Sequence, residues 1–177
     1  MSDVTARIVK GLEAMKYVVN TVTAEREGTL SMRVALLPEY TDKAFVLDMG
    51  SGNTKICWQE DGKPRVLETY GAKYYQNAVD DATVAAAVKA KAAQVPARLR
   101  GTCFVLGGGP CEFAKTIRQG PEPYTVLRAA DAYTQLSGAQ NKAGLNIYQA
   151  VAAATGCQQF VFAYDSNFTI GYLLSLP

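Results

Sequence analysis

Residues 44–71 of this 177-residue chain constrain its fold more than any other stretch. AFVLDMG (44–50), NTKICWQ (53–59) and PRVLETYG (64–71) are three strand-like segments with links between them too short for anything but hairpins. Ser51-Gly52 joins the first two. Asp61-Gly62, which joins the second and third, suits the positive φ angles of a two-residue hairpin. The first segment is apolar through Phe45, Val46 and Leu47 and then carries Asp48. A carboxylate at the edge of a core is costly unless something polar or charged meets it. Gly50 and Gly52 on the far side let the backbone come close to a ligand. The stretch has the make-up of a binding site.

The rest of the chain supplies helices and two more strands. Residues 4–22 place Ile8, Leu12, Met15, Val18, Val19 and Val22 at helical spacing, and a second helix fits 24–37, with Gly28 weakening it. PEYTD (38–42) is turn chemistry. Asp80, Asp81 or Thr83 caps an alanine-rich helix that runs to about Val95, where Pro96 stops it. GTCFVLGGG (101–109) reads as a buried strand ending on glycines, and Pro110 opens a short helix over CEFAKTIRQ. Helices fit 124–137 and 144–155, QQFVFAY (158–164) reads as a last strand, and DSNFTIGYLLSL closes the chain as a helix or loop. A strand meander followed by crossovers gives an α/β domain with a mixed five-stranded sheet flanked by helices. No linker divides the chain, so residues 1–177 are expected to form a single domain, with 1–43 a helical lead-in and 44–177 a β-β-β-α-β-α-β core.

Composition excludes several classes. Lys and Arg exceed Asp and Glu by only two and are scattered, which argues against a nucleic-acid or membrane surface. No apolar run approaches the ~18 residues a membrane span needs, and the N-terminus lacks the apolar core of a signal peptide. A cytoplasmic location is the expectation. The chain has no histidine, which removes the commonest general base and the His-containing triads. Cys57, Cys103, Cys111 and Cys157 form no CxxC pair and read as single buried thiols.

Asp48-Met49-Gly50-Ser51-Gly52-Asn53-Thr54-Lys55 suits a phosphate. Small residues expose backbone N–H groups to phosphate oxygens, the Asn53 amide and Thr54 hydroxyl add donors, and Lys55 adds charge. Asp48 makes sense beside a hydrated Mg²⁺ or an attacking water. By spacing alone the same residues are equally a tight hairpin in which Asp48 caps its own turn. Gly107-Gly108-Gly109 before Pro110 offers a nucleotide or phosphate a helix start, or simply permits close packing. Asp165 and Asn167 repeat the strand-then-carboxylate theme, or cap the next helix.

The β-β-β-α-β-α-β order resembles the ribonuclease-H-like (actin-like) half-domain of the actin/heat-shock-chaperone/sugar-kinase superfamily, whose hairpin after the first strand wraps a phosphate. Upstream, Ala24-Glu25-Arg26-Glu27-Gly28-Thr29-Leu30 is similar to the S-G-E-E-E-A-R-L segment of the exopolyphosphatase/guanosine pentaphosphate phosphohydrolase (Ppx/GppA) family, where it precedes a D-I-G-G-G-S-T-E loop. Gly107–Gly109 stands where that family has V-G-G-T, and 147–174 resembles its closing helix, strand and helix. The resemblance covers about residues 20–175 and points to the family's second, C-terminal domain. It implies hydrolysis of phosphoanhydrides, polyphosphate or guanosine pentaphosphate, with Mg²⁺. Glu27 aligns with the carboxylate base, and Asp48, Gly50, Gly52 and Thr54 with the second phosphate-binding loop; in its sharp form this makes Asp48 the Mg²⁺-side carboxylate and the 50–54 loop the phosphate clamp.

The departures are equally specific. The family's S-T-E is here Asn53-Thr54-Lys55, a charge reversal, and its L-R-E-G is Phe168-Thr169-Ile170-Gly171. The family's first domain, with its own loop, has no counterpart in these 177 residues. The expected reading is therefore half of a phosphoanhydride hydrolase, inactive alone and completed by an N-terminal domain, a partner chain or a second copy in a homodimer. The alternatives are a non-catalytic actin-like assembly module that binds ATP, or an interaction scaffold that kept the fold and lost the ligand.

Overall fold

The computed structural model describes residues 3–107, 124–128, 138–163 and 167–176. Its centre is a sheet of strands β1 (Ala44–Met49), β2 (Asn53–Glu60), β3 (Lys63–Tyr70), β4 (Thr102–Leu106), β5 (Tyr124–Arg128) and β6 (Gln159–Ala163), in the order β3-β2-β1-β4-β6-β5. The meander β1–β3 is antiparallel, with Asp61 and Gly62 at φ 51° and 73° in the second turn, as its two-residue length requires. β4 and β6 add in parallel beside β1. The five expected strands thus form the mixed sheet, and β5 extends it antiparallel along the outer edge of β6.

Alternation along the strands divides the core in two. Phe45, Leu47, Met49, Ile56, Trp58, Cys103, Val105, Phe160 and Phe162 face Val84, Val88 and Ala92 of helix α3 (Asp81–Ala92) and Ile147 and Val151 of helix α4 (Ala139–Thr155). Ala44, Val46, Cys57, Phe104 and Leu106 face the other way, onto Met32 and Ala35 of helix α2 (Ala24–Ala35). Asp80 caps α3, its Oδ1 accepting from the Thr83 amide at 2.9 Å. A short helix α5 (Phe168–Leu173), capped by Asn167, packs outside α2.

Two expectations are corrected. The helix expected over 4–22 is α1 (Asp3–Ala14), which ends where Lys16 turns to φ 67°. The β-branched and polar run Val18-Val19-Asn20-Thr21-Val22-Thr23 propagates a helix poorly. Ile8, Leu12, Met15 and Val18 are exposed rather than in the core. In the helix expected over 124–137, residues 124–128 are a strand, because β6 offers an open edge and Thr125-Val126 suits it; residues 129–137 lie outside the described residues, as does the helix expected after Pro110. Cys57, Cys103 and Cys157 are buried free thiols, as expected; Cys111 is outside. Among the described residues, no helix is long and apolar enough to cross a membrane.

Candidate functional site

The strand period fixes which side chains meet. Asp48 pairs with Lys55 across β1 and β2, and Lys55 with Glu68 across β2 and β3. Asp48 and Lys55 lie on the α2 side of the sheet, where a helix face must meet them. That face carries Glu27 and Ser31, one turn apart and therefore neighbours. Gly28 between them permits the approach: a Cβ there would lie 2.7 Å from Val66 Cγ1 and 2.9 Å from Cys57 Sγ.

The result is a polar cluster centred on a buried ammonium. Lys55 Nζ lies 2.8 Å from Glu27 Oε1, 3.1 Å from Asn53 Oδ1 and 3.6 Å from Asp48 Oδ2, with the lysine side chain 1% exposed. Ser31 Oγ donates to Asp48 Oδ2 at 2.8 Å, and Asn53 Nδ2 donates to Glu68 Oε1 at 2.6 Å. Burial pushes the Asp48 carboxyl up from its ordinary range, against the opposing pull of the Lys55 charge and the Ser31 hydrogen bond. Burial likewise pushes the Cys57 thiol, one turn of the pleat away, far up.

The hairpin closes over this cluster. The Gly50 amide donates to Asn53 O at 2.9 Å, leaving Ser51 and Gly52 exposed at the tip. The tip rests on the segment after β3: Ala72 N donates to Gly50 O and Lys73 N to Ser51 O, both at 2.9 Å. A Cβ on Gly71 would lie 2.4 Å from Asn53 N, so only glycine fits beneath the loop. Among the described residues the N–H groups of Ser51 and Gly52 have no acceptor.

The structure brings together Glu27, Asp48, Asn53 and Lys55 directly, with Gly50, Ser51 and Gly52 at the adjacent tip. It turns Lys55 inward, onto the carboxylates, rather than toward the loop surface. Thr54 points to the opposite face of the sheet, fully buried, and its Oγ1 has no partner among the described residues. Gly107 sits beside the hairpin at the end of β4, at φ 120°, where a Cβ would lie 2.3 Å from Met49 O. That close strand approach accounts for Gly107; Gly108, Gly109 and Asp165 lie outside the described residues. Asn167 is the cap of α5. Sequence reasoning missed Ser31 and Glu68. The signal for Ser31 was its i+4 spacing from Glu27, and for Glu68 the register set by the Asp61-Gly62 turn.

A divalent ion does not fit these residues as they stand. Mg²⁺ demands near-octahedral oxygen ligands and keeps several waters. Here Glu27 Oε1 and Asp48 Oδ2 already face an ammonium, and Ser31 holds the Asp48 oxygen as well. Among the described residues no group of three acidic or thiol ligands is placed to hold a metal.

No family model matches the chain, and no curated protein matches it. Solved structures do. It is similar to the Aquifex aeolicus PPX-GPPA enzyme at 17% identity and TM-score 0.72, over 99% of this chain and 71% of that one. A type II variant of the Aquifex aeolicus Ppx/GppA phosphatase matches at 15% identity and TM-score 0.67, over 98% and 71%. An exopolyphosphatase-like protein matches at 13% and 0.68, over 98% and 73%. The likeness in fold runs along nearly the whole chain at low identity. This chain has the Ppx/GppA phosphatase fold.

Proposed function

We propose that this chain is one wall of a phosphoanhydride-binding cleft, half of a Ppx/GppA-like hydrolase that takes polyphosphate or guanosine pentaphosphate. The observation that carries this reading is the convergence of Glu27 and Asp48, twenty-one residues apart in the chain on a helix and a strand, behind the N–H groups of Ser51 and Gly52, which have no acceptor among the described residues. Backbone donors at a hairpin tip suit phosphate oxygens. The tip stands outside the carboxyl end of β1, beside its parallel neighbour β4, where open α/β sheets bind ligands. A phosphate on the tip is open to solvent on its far side, and phosphoryl transfer needs preorganised contacts on several sides. A second domain or second copy of the chain supplies them.

One observation favours a second reading, a non-hydrolysing binding module. Glu27 Oε1 is committed to Lys55 at 2.8 Å, so the carboxylate aligned with the base already holds a cation.

The test is calorimetric binding of short polyphosphate, guanosine pentaphosphate and ATP to the wild type and Ser51→Asp, with phosphate release followed in the same samples. Ser51 is exposed, so the substitution puts a repelling carboxylate at the tip without disturbing the core. Binding that Ser51→Asp abolishes supports the cleft reading. Accompanying phosphate release selects the hydrolase, and its absence selects the binding module. ATP binding alone, with nucleotide-dependent sedimentation, points to the actin-like assembly reading. No binding by any of the three ligands overturns the proposal.

A further inference from the structure

We infer that the Lys55 ammonium is the resident cation of the Glu27–Asp48 pair, so that this site takes no divalent metal ion. The inference rests on the reading of these two carboxylates as the chemistry-bearing pair, but it concerns what stands between them. Nζ has the surroundings of a bound hard cation: carboxylate oxygens of Glu27 and Asp48 at 2.8 and 3.6 Å and the amide oxygen of Asn53 at 3.1 Å. Lysine carries its charge on a flexible stem and is almost never this deeply buried unless paired. Two of these neighbours are held in turn from outside. Ser31 fixes the Asp48 oxygen, and Asn53, which offers its oxygen to Lys55, donates its other end to Glu68. The amide of Asn53 is thereby oriented as an acceptor toward the ammonium.

This arrangement excludes a second cation. A divalent ion at about 4 Å from an ammonium, at an effective dielectric of about 20, is repelled by far more than a hundredfold in affinity. A site of this kind meets a phosphate with its positive charge already installed, one unit where a divalent ion would bring two. Two carboxylates, Glu27 and Asp48, face that single charge, and a third, Glu68, is held to Asn53, so attraction for a phosphate must come from the hairpin N–H groups and from whatever completes the cleft.

The test uses Mn²⁺ and Mg²⁺ alone, with no phosphate ligand, so its failure leaves the cleft reading standing and the failure of that reading leaves this one standing. Mn²⁺ binding to the full chain is followed by calorimetry and by loss of the free-ion electron paramagnetic resonance signal. The proteins are wild type, Lys55→Ala, Lys55→Glu and Lys55→Ala/Asp48→Asn. The wild type is expected to show no saturable uptake. The two single variants are expected to bind one ion at least about a hundredfold more tightly, Lys55→Glu the tighter, and the double variant to lose that gain. Mg²⁺ is expected to raise the Tm of the single variants and not of the wild type. Should either variant be unfolded without the ion, refolding on its addition, read by circular dichroism, is the same result. Saturable uptake by the wild type, removed in a further Asp48→Asn protein, overturns the inference. So do single variants that, folded or unfolded, gain nothing from either ion.

Discussion

Lys55 Nζ and Glu27 Oε1 stand 2.8 Å apart across the interface between β2 and α2, the lysine side chain 1% exposed and the glutamate 26%. Twenty-eight positions separate them in sequence. The contact exists because strand alternation sends Lys55 to the side of the sheet that α2 covers, and because Gly28 lets the helix close down on Cys57 and Val66.

Removing one partner of a buried ion pair leaves the other charge uncompensated. Lys55→Met strands both Glu27 and Asp48 and is expected to lower stability by about 3–5 kcal/mol. Adding Glu27→Gln and Asp48→Asn to the same background is expected to recover most of that loss. Urea unfolding monitored through Trp58 measures both.

Ser31 is a positioning residue for Asp48. Its hydroxyl is fully buried and donates to the carboxylate at 2.8 Å, so Ser31→Ala is expected to cost about 1.5–3 kcal/mol, the range for a hydrogen bond to a charged group. A readout specific to this role is pH. Asp48 keeps its proton in the folded state above the ordinary value of 3.8. As pH rises through 3.8 the unfolded chain releases that proton first, so Asp48's contribution to stability falls with rising pH. Asp48→Asn removes this fall. Ser31→Ala, which takes away a hydrogen bond that favours the charged carboxylate, extends it to higher pH. The pH dependence of the urea midpoint, compared across the three proteins, checks both directions.

Tyr74 ties the segment beneath the hairpin to two helices. Its hydroxyl donates to Asp81 Oδ1 at 2.6 Å and accepts from Asn146 Nδ2 at 3.1 Å. Burial, and then the bond to Asp81, push its phenol up to about 12 from an ordinary 10.0. Between those values the unfolded chain has lost the Tyr74 proton and the folded chain has kept it. Its contribution is therefore fully present below pH 10 and lost as pH rises toward about 12. Tyr74→Phe is expected to flatten that decline in the urea midpoint, and the difference in phenolate absorbance between the two proteins isolates the residue from the other nine tyrosines.

Gly71→Ala places a methyl group 2.4 Å from Asn53 N and 2.5 Å from Ser51 O, both main-chain atoms that cannot rotate aside. The hairpin tip must lift. The expected cost is about 1–3 kcal/mol, with faster amide exchange at Ala72 and Lys73, whose N–H groups hold Gly50 and Ser51. Gly52→Ala, with open space at its Cβ, is the control and is expected to change neither.

What the sequence made legible follows from what is local. The apolar runs at 44–49, 102–106 and 159–163 and the Asp61-Gly62 turn announced their strands because burial and turn geometry are decided by neighbouring residues. Glu27 and Asp48 were singled out as a pair through a family likeness, and the structure sets them against one lysine. The role of Lys55 was not legible. At the end of a glycine loop it reads as a charge offered to a ligand, and only the side of the sheet to which β2 turns it, together with the height of α2 above the strands, shows it turned inward. Thr54 was misplaced for the same reason, since one step along a strand moves a side chain to the opposite face. Tyr124–Arg128 joined the sheet because of an edge 31 to 39 residues further on, in the pairing register of β6, which no local pattern reports.

α2 is pressed from both sides at positions where a single methyl group is missing. Gly28 meets the sheet beneath, and on the outer side a Cβ on Gly171 of α5 would lie 2.1 Å from Leu30 O. The helix behaves as a shim whose thickness is set by two glycines, Gly28 before the sheet begins and Gly171 within α5. Helix α5 is thereby a fastener for Glu27. Clipping the chain ahead of Asn167 would uncover Leu30, now 1% exposed, and free α2 to ride up, so that the ion pair at the centre of the site would open without any of its own atoms being touched.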